Sequence, residues 1–388
     1  MEQTEEKGSM LQPGQSIRPK TSQEDAKDLV LRLYGMKVTY IKELNSYDDK
    51  NFLVKVSDDH TNPHVESISP AGYVLKVLNS MDSQKTHVDA EHEAERLIYA
   101  TGVRCPTPVP DLKGRDYSKQ ILEENTNNNA QTTKDGNEHI VRLLTFIPGI
   151  IFVNVPYKPN LLYDCGRYLA RVNNALKGFS HPSLVGHASI WNMISVPKLK
   201  DFLYAITDEG RRELVSEVMA DFSKTVIPRL EECTKGVIHG DFNEQNIVVK
   251  PTEATVDLPE SERDHQVAGV IDFGDMSESY YVFELAICVM YMSVESKVVD
   301  PITAGGHVLA GYLSERDIND IEWDMLKTCV AGRYCQSLVM GAYSYSMDPG
   351  NEYLLVTAAN GWPQLEKLWA TPKEELYTTW KEIIASYK

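Results

Sequence analysis

A chain of 388 residues, 42% hydrophobic and 24% charged, is long enough to build one large or two medium domains around a sizeable core. Its formal net charge of −17 and the lack of any Lys/Arg cluster speak against nucleic acid as a partner, and no apolar run reaches membrane-spanning length. The six cysteines are scattered without CxxC spacing, which suits reduced, mostly buried thiols rather than a disulfide framework or a zinc site.

The first residues, 1–20, have neither a basic start with an apolar stretch nor the Arg-rich, acid-poor character of a transit peptide. They read as a flexible leader, and the expected compartment is the cytoplasm. QEDAKDLVLRLYG carries apolar residues at helical spacing and stops at Gly35, predicting a short amphipathic helix. VTYIKEL, NFLVKVS and GYVLKVL are apolar, β-branched runs separated by polar or Gly/Pro-containing turns, and they predict an antiparallel meander. DAEHEAERLIYATG follows as a helix with a Gly stop. After a break at PTPVP (106–110), HIVRLLTFIPG at 139–149 predicts a strand ending in a turn. Between them lies a polar insertion at about 121–138, which has little to bury and is expected to be poorly ordered.

From residue 161 the pattern turns helical, in LLYDCGRYLARVNNALKGF and GRRELVSEVMADFSKTVIPRLEEC. VIHGD and IVVK flank a loop, a second polar insertion occupies about 251–266, and VAGVIDFGD supplies another short strand. The segments from VFELAICVMYMS to LEKLWA read mainly helical. The expected architecture is α+β: a small β-rich N-terminal lobe over 21–147 and a larger, mainly helical C-terminal lobe over 148–388, with RLLTFIPG crossing between them.

Two short stretches carry the chemistry. In HGDFNEQN, Asp241 and Asn246 stand on a loop just after a strand, and in VAGVIDFGD Asp272 follows an apolar run. Phosphoryl transfer needs one carboxylate beside the acceptor hydroxyl, to orient it and take its proton, and oxygen ligands for a magnesium ion on the nucleotide phosphates. Asp241 suits the first role, Asn246 and Asp272 the second. His239 has no second His or Cys at metal-ligating spacing and is expected to bond backbone near Asp272. Acidic and amide side chains also cap ordinary turns; the pairing of the two stretches is what favours the catalytic reading.

HGDxxxxN followed by a hydrophobic run and IDFG resembles the motif pair of the aminoglycoside phosphotransferase and choline kinase family, whose fold is similar to the two-lobed fold of protein kinases. SYDDKNF at 46–52, RYCQSLVMGAYS at 333–344 and EYLLVTAANGWPQLEKL at 352–368 resemble one cytoplasmic member of that family, so the likeness spans nearly the whole chain outside the leader and the two insertions. The resemblance implies Asp241 as catalytic base, Asn246 and Asp272 as Mg2+ ligands, and a lysine of the β-lobe paired with a helix glutamate. It further implies GTP as phosphoryl donor and the hydroxyl of a small hydroxy amino acid, 5-hydroxylysine, as acceptor. Choline, homoserine or an aminoglycoside-like acceptor, or a nucleotide-binding protein without catalysis, are the alternatives.

Lys76, in GYVLKVL, is the candidate phosphate-contacting lysine, beside the plainer reading of a lysine snorkelling from a sheet face. Glu91, Glu93 and Glu95 are all available to pair with it; Glu93 is preferred from its place in the family pattern before Leu97 and the Gly102–Pro106 spacing. NSYDDKNFLVKV contains no glycine and is not a Gly-rich phosphate loop, yet Ser46 and Asn51 remain candidates for nucleotide contact. Backbone groups of Leu144, Thr145, Phe146 and Ile147 are candidates for the base. On the acceptor side, Asp275 and Glu278 follow Asp272 closely enough to meet amines, Arg333 is the candidate for the carboxylate, and Trp191 for a pocket wall. Glu284 stands where the family often has an aspartate bracing the catalytic loop.

Overall fold

Ser22 and Asp25 cap each other's backbone reciprocally and open helix α1 (Gln23–Tyr34), which stops at Gly35 in the left-handed region at φ 64°. The computed structural model describes residues 17–46, 49–84, 87–122, 138–186, 189–347 and 356–388. Ala26, Leu29, Val30 and Leu33 of α1 pack on an antiparallel sheet of β1 (Met36–Leu44), β2 (Lys50–His60), β3 (Tyr73–Val77), β4 (Ser118–Ile121) and β5 (Glu138–Thr145), in the order β1-β2-β3-β5-β4. Phe52, Val54, Leu75, Val77, Val141 and Leu143 complete that core with no exposed surface; burial of such side chains contributes about 1.5–3 kcal/mol each.

The meander of the first three strands follows their apolar runs. β4 has no such run: SKQI forms a strand only because the edge of β5 offers it a ladder, Ser118 opposite Val141 through Ile121 opposite Glu138. Most of the first polar insertion (123–137), Tyr47 and Asp48 of the β1–β2 turn, and residues 1–16 of the leader lie outside the described residues.

Helix α2 (His87–Ala100) follows β3. The chain divides into two units, Met1–Glu95 with Pro106–Ile147 and Arg96–Cys105 with Pro148–Lys388. In the second unit β6 (Ile150–Ile151) and β9 (His265–Val270) flank β8 (Ile247–Pro251), while β7 (Lys235–Ile238) pairs with β10 (Ser277–Tyr280). Its helices are α3 (Pro159–Ala175), α4 (Glu209–Asp221), α5 (Tyr281–Val294), α6 (Pro301–Leu313), α7 (Asp320–Met347), α8 (Val356–Ala370) and α9 (Lys373–Ala385).

Two features of this unit escape periodicity. Met193–Ala205 is a 3₁₀ segment with Pro197 inside it, and α4 runs on through a π-turn at Phe222–Val226. Helix α5 is buried at every position, as an all-round apolar sequence requires. Helices α3 and α6 cross at glycines: a Cβ on Gly166 would lie 1.9 Å from the Val308 carbonyl, and one on Gly311 1.8 Å from that of Tyr163. The second polar insertion is tied down by Lys158 Nζ, which donates to the Arg263 carbonyl at 3.1 Å and to Asp264 Oδ1 at 2.8 Å. Among the described residues no helix is long and apolar enough to cross a membrane.

Candidate active site

β7 ends at Ile238 and β8 begins at Ile247, so two buried strand ends anchor the intervening HGDFNEQ loop. His239, fully buried, donates from Nε2 to the Ile271 carbonyl at 3.0 Å. Its Nδ1 accepts the Asp241 amide at 3.3 Å, which fixes the tautomer with the proton on Nε2. One imidazole thus ties the HGDFNEQ loop to the chain leading into Asp272, and the ring packs 4.7 Å from that of Phe273.

Gly240 has φ 83°, and its amide donates to both carboxylate oxygens of Glu284 at 3.2 Å. Burial pushes the Glu284 carboxyl up to about 7, opposed by the Gly240 and His239 amides that bind its charged form. Asp241 comes next. Its Oδ2 accepts Asn246 Nδ2 at 2.9 Å, and its Oδ1 accepts Arg333 Nη2 at 3.1 Å. Desolvation raises the Asp241 carboxyl above the ordinary carboxylate range; the Arg333 charge and the amides of Asn243 and Asn246 oppose that rise, and Asp272 adds to it. About a quarter of the Asp241 side chain stays open to solvent.

Asn246 Nδ2 also donates to the Asp241 carbonyl at 3.0 Å. Both amide hydrogens are then committed to Asp241, which turns Oδ1 into the group left for a ligand. Asp272, at φ 65°, is the only non-glycine residue in the left-handed region among those described. Asp tolerates that conformation at a cost on the order of 1 kcal/mol, held here by the Ile271 amide donating to the Asn246 carbonyl at 2.8 Å. No cluster of three or more His, Cys, Asp or Glu among the described residues holds a metal by itself. Asn246 Oδ1 and the Asp272 carboxylate are hard oxygen donors, the type that Mg2+ takes beside water and phosphate.

A small cavity beside the loop is lined by Ser189, Trp191, Asn192, Gly240, Asp275 and Ser277, over an apolar floor that includes Ile238 and Phe283. Asp275 therefore lines this cavity. Glu278 does not: it follows the cavity-lining Ser277 on β10, so strand alternation sends its side chain to the opposite face.

Arg333 also departs from expectation. It is only 2% exposed, and beyond Asp241 it donates to the Trp191 carbonyl at 3.2 Å and the Tyr291 hydroxyl at 3.3 Å. Its guanidinium lies 5.4 Å from the ring centre of Trp191 and 5.3 Å from that of Tyr291. Nη1 and Nη2 are thus engaged, and the buried Nε has no hydrogen-bond partner among the described residues.

In the first unit, Lys76 of β3 sits opposite Asn51 of β2 and Arg142 of β5, so the three share one sheet face. Glu93, the preferred partner for Lys76, is exposed; helical phase puts Glu91 and Glu95 on the buried side instead, at 4% and 2% exposure. Arg142 Nη1 donates to Glu91 Oε2 at 2.6 Å. Sequence reasoning missed Arg142, although RLL in a strand places it on the face opposite Val141 and Leu143. Ser46 Oγ donates to the Asp49 carbonyl at 2.5 Å, and the buried Asn51 Oδ1 has no partner among the described residues. At the end of β5 the Thr145 amide donates to Thr107 and the Phe146 amide to Gly72, so neither N–H is available to a base. Leu144 is likewise engaged, bridged to Pro108 and laddered to Val74, and of the four residues singled out for base contact Ile147 is the least committed.

The model of the phosphotransferase enzyme family matches residues 53–317. The chain belongs to that family. It is similar to the hydroxylysine kinase of Bos taurus, 36% identical over 376 residues that cover 96% of this chain and 95% of the relative. The hydroxylysine kinase of Xenopus laevis is 35% identical, covering 95% and 96%. Among solved structures, an amicoumacin kinase in complex with AMP-PNP and Ca2+ superposes with a TM-score of 0.62 at 14% identity, covering 91% of this chain and 95% of that one. The fold is accordingly the protein-kinase-like one of the phosphotransferases, with a β-sheet N-terminal region and a helical C-terminal region. As a phosphotransferase the chain uses a nucleotide co-substrate and phosphorylates a hydroxyl.

One prediction concerns the phosphotransferase's first unit alone. Arg142→Met leaves the Glu91 carboxylate buried without its cation and is expected to lower stability by about 3–5 kcal/mol in urea unfolding. Adding Glu91→Gln should recover most of that loss; two additive losses would show that the pair is not coupled.

Proposed function

We propose that the chain transfers the γ-phosphoryl group of GTP to the hydroxyl of 5-hydroxy-L-lysine, giving 5-phosphohydroxy-L-lysine and GDP. The observation that carries the chemistry is the Asp241 carboxylate, held on one oxygen by Asn246 and on the other by Arg333 while remaining partly open. The acceptor rests on the likeness to the vertebrate hydroxylysine kinases over nearly the whole chain. GTP rests on the family resemblance of the sequence.

Asp241 orients the acceptor hydroxyl and takes its proton as the new O–P bond forms and the bond to the leaving nucleoside diphosphate breaks. Asn246 Oδ1 and the Asp272 carboxylate are the groups that would hold Mg2+, whose charge offsets that of the phosphates when bound. Lys76 contacts nucleotide phosphate, with Glu95 in place of Glu93 as the carboxylate that holds it. Asp275, in the cavity beside Gly240, receives an ammonium of the acceptor. The described cysteines are all free and buried, in keeping with a reducing compartment, the cytoplasm.

The test is product formation with Mg2+ from GTP or ATP, across a panel of 5-hydroxylysine, lysine, homoserine, choline and an aminoglycoside. Phosphorylated 5-hydroxylysine with GTP favoured is the expected outcome. Turnover of another hydroxyl compound in its place sinks the acceptor assignment, and equal or better use of ATP sinks the donor assignment.

A further inference from the structure

We propose that Arg333 is a positioning residue for Asp241, joining the catalytic carboxylate to the wall of the acceptor cavity, and not a receptor for the acceptor's own carboxylate. This rests on the reading of Asp241 as the base. A carboxylate turns freely about two bonds unless both oxygens are held. Asn246 holds Oδ2 from within the loop, and Arg333 holds Oδ1 from α7, 92 residues further along the chain. Two donors on different oxygens fix the orientation of the group and still leave a lone pair on each oxygen for an incoming hydroxyl.

Arg333 is itself immobilised. Its Nη2 is shared between Asp241 and the Tyr291 hydroxyl, its Nη1 holds the Trp191 carbonyl, and the rings of Trp191 and Tyr291 lie within 5.4 Å of the guanidinium carbon. Gln336, one helical turn further along α7, fastens the same wall by donating to the carbonyls of Ile190 at 2.8 Å and Asn192 at 3.1 Å. The segment that lines the cavity and the carboxylate that faces the reacting hydroxyl are therefore referenced to one buried helix face. A lysine would keep the charge but lose the fork that reaches Asp241 and Trp191 together.

The test compares Arg333→Gln and Arg333→Lys on 5-hydroxylysine and on the diamino alcohol that lacks its carboxylate. A misplaced base is expected to cost about 10²-fold in kcat on both acceptors for Arg333→Gln, with KM changed by less than about threefold and partial recovery in Arg333→Lys. A raised KM confined to the amino acid, with the diamino alcohol unaffected, would overturn the proposal and return Arg333 to carboxylate binding. Should Arg333→Gln fail to fold, the cycle of Arg333→Lys with Asp241→Asn decides. Once Asp241 is replaced, the lysine should cost nothing further in kcat, and additive losses would reject the coupling. If the unaltered protein does not use 5-hydroxylysine, the acceptor assignment falls, and the same cycle is read on whichever hydroxyl compound is turned over, or on slow GTP hydrolysis.

Discussion

Asp241→Asn is expected to lower kcat by a factor of about 10²–10⁴ with the fold retained, the range a positioned general base contributes. The amide keeps the shape of the carboxylate and can still accept from Asn246 or Arg333, so substrate binding should change little. What disappears is the capacity to take the hydroxyl proton and the anion facing the Arg333 guanidinium. That guanidinium is only 2% exposed, but Asp241 is 25% exposed, which weakens the pair by solvent screening. The accompanying loss of stability should therefore stay near the lower end of about 1.5–3 kcal/mol for a hydrogen bond to a charged group. Steady-state kinetics beside urea unfolding separates the two effects. Retention of more than a tenth of the wild-type kcat in a folded variant would remove Asp241 from the role of base.

Gly240→Ala should be the most damaging single-methyl change in the loop. The backbone there has φ 83°, and a Cβ would come 2.2 Å from the Asp275 carbonyl oxygen, a backbone atom that cannot swing aside. An L-residue in the left-handed region costs about 1–2 kcal/mol, and relief of an overpacked contact about 1–3 more, so a loss of about 2–5 kcal/mol is expected. Activity should fall even where the variant is folded. The Gly240 amide is the one that Glu284 holds, and Asp241 is the next residue, so a shift of the peptide moves the carboxylate directly. Urea unfolding with kcat on the folded fraction checks both parts; stability within about 0.5 kcal/mol of the parent, as for an ordinary surface substitution, would mean the close approach is not made in solution.

Much of this was written in the sequence, because some physical signals are local. Apolar runs bounded by turn residues marked the first three strands, Ser22 and Gly35 bounded α1, and HGDFNEQN with VAGVIDFGD carried the family resemblance. The burial of the α2 glutamates was legible too: Val88, Glu91, Ala94, Glu95 and Ile98 share the buried face at helical spacing, and Glu93 falls opposite. Family spacing had favoured Glu93, which the helix phase leaves exposed. Alternation along β10 would likewise have set Glu278 apart from the cavity face of Ser277.

What the tertiary structure alone decided are partners distant in sequence. An arginine and a glutamine three residues apart on an apolar helix say that something polar awaits them. Only the packed second unit shows that Arg333 meets Asp241 and Trp191, and that Gln336 meets Ile190 and Asn192. Arg142 took Glu91 across 51 residues, and the amides of Thr145 and Phe146 were taken by Thr107 and Gly72. Side-chain type determines what bonds a residue can make; which of them it makes depends on the groups that folding brings within about 3 Å, and periodicity carries no record of that.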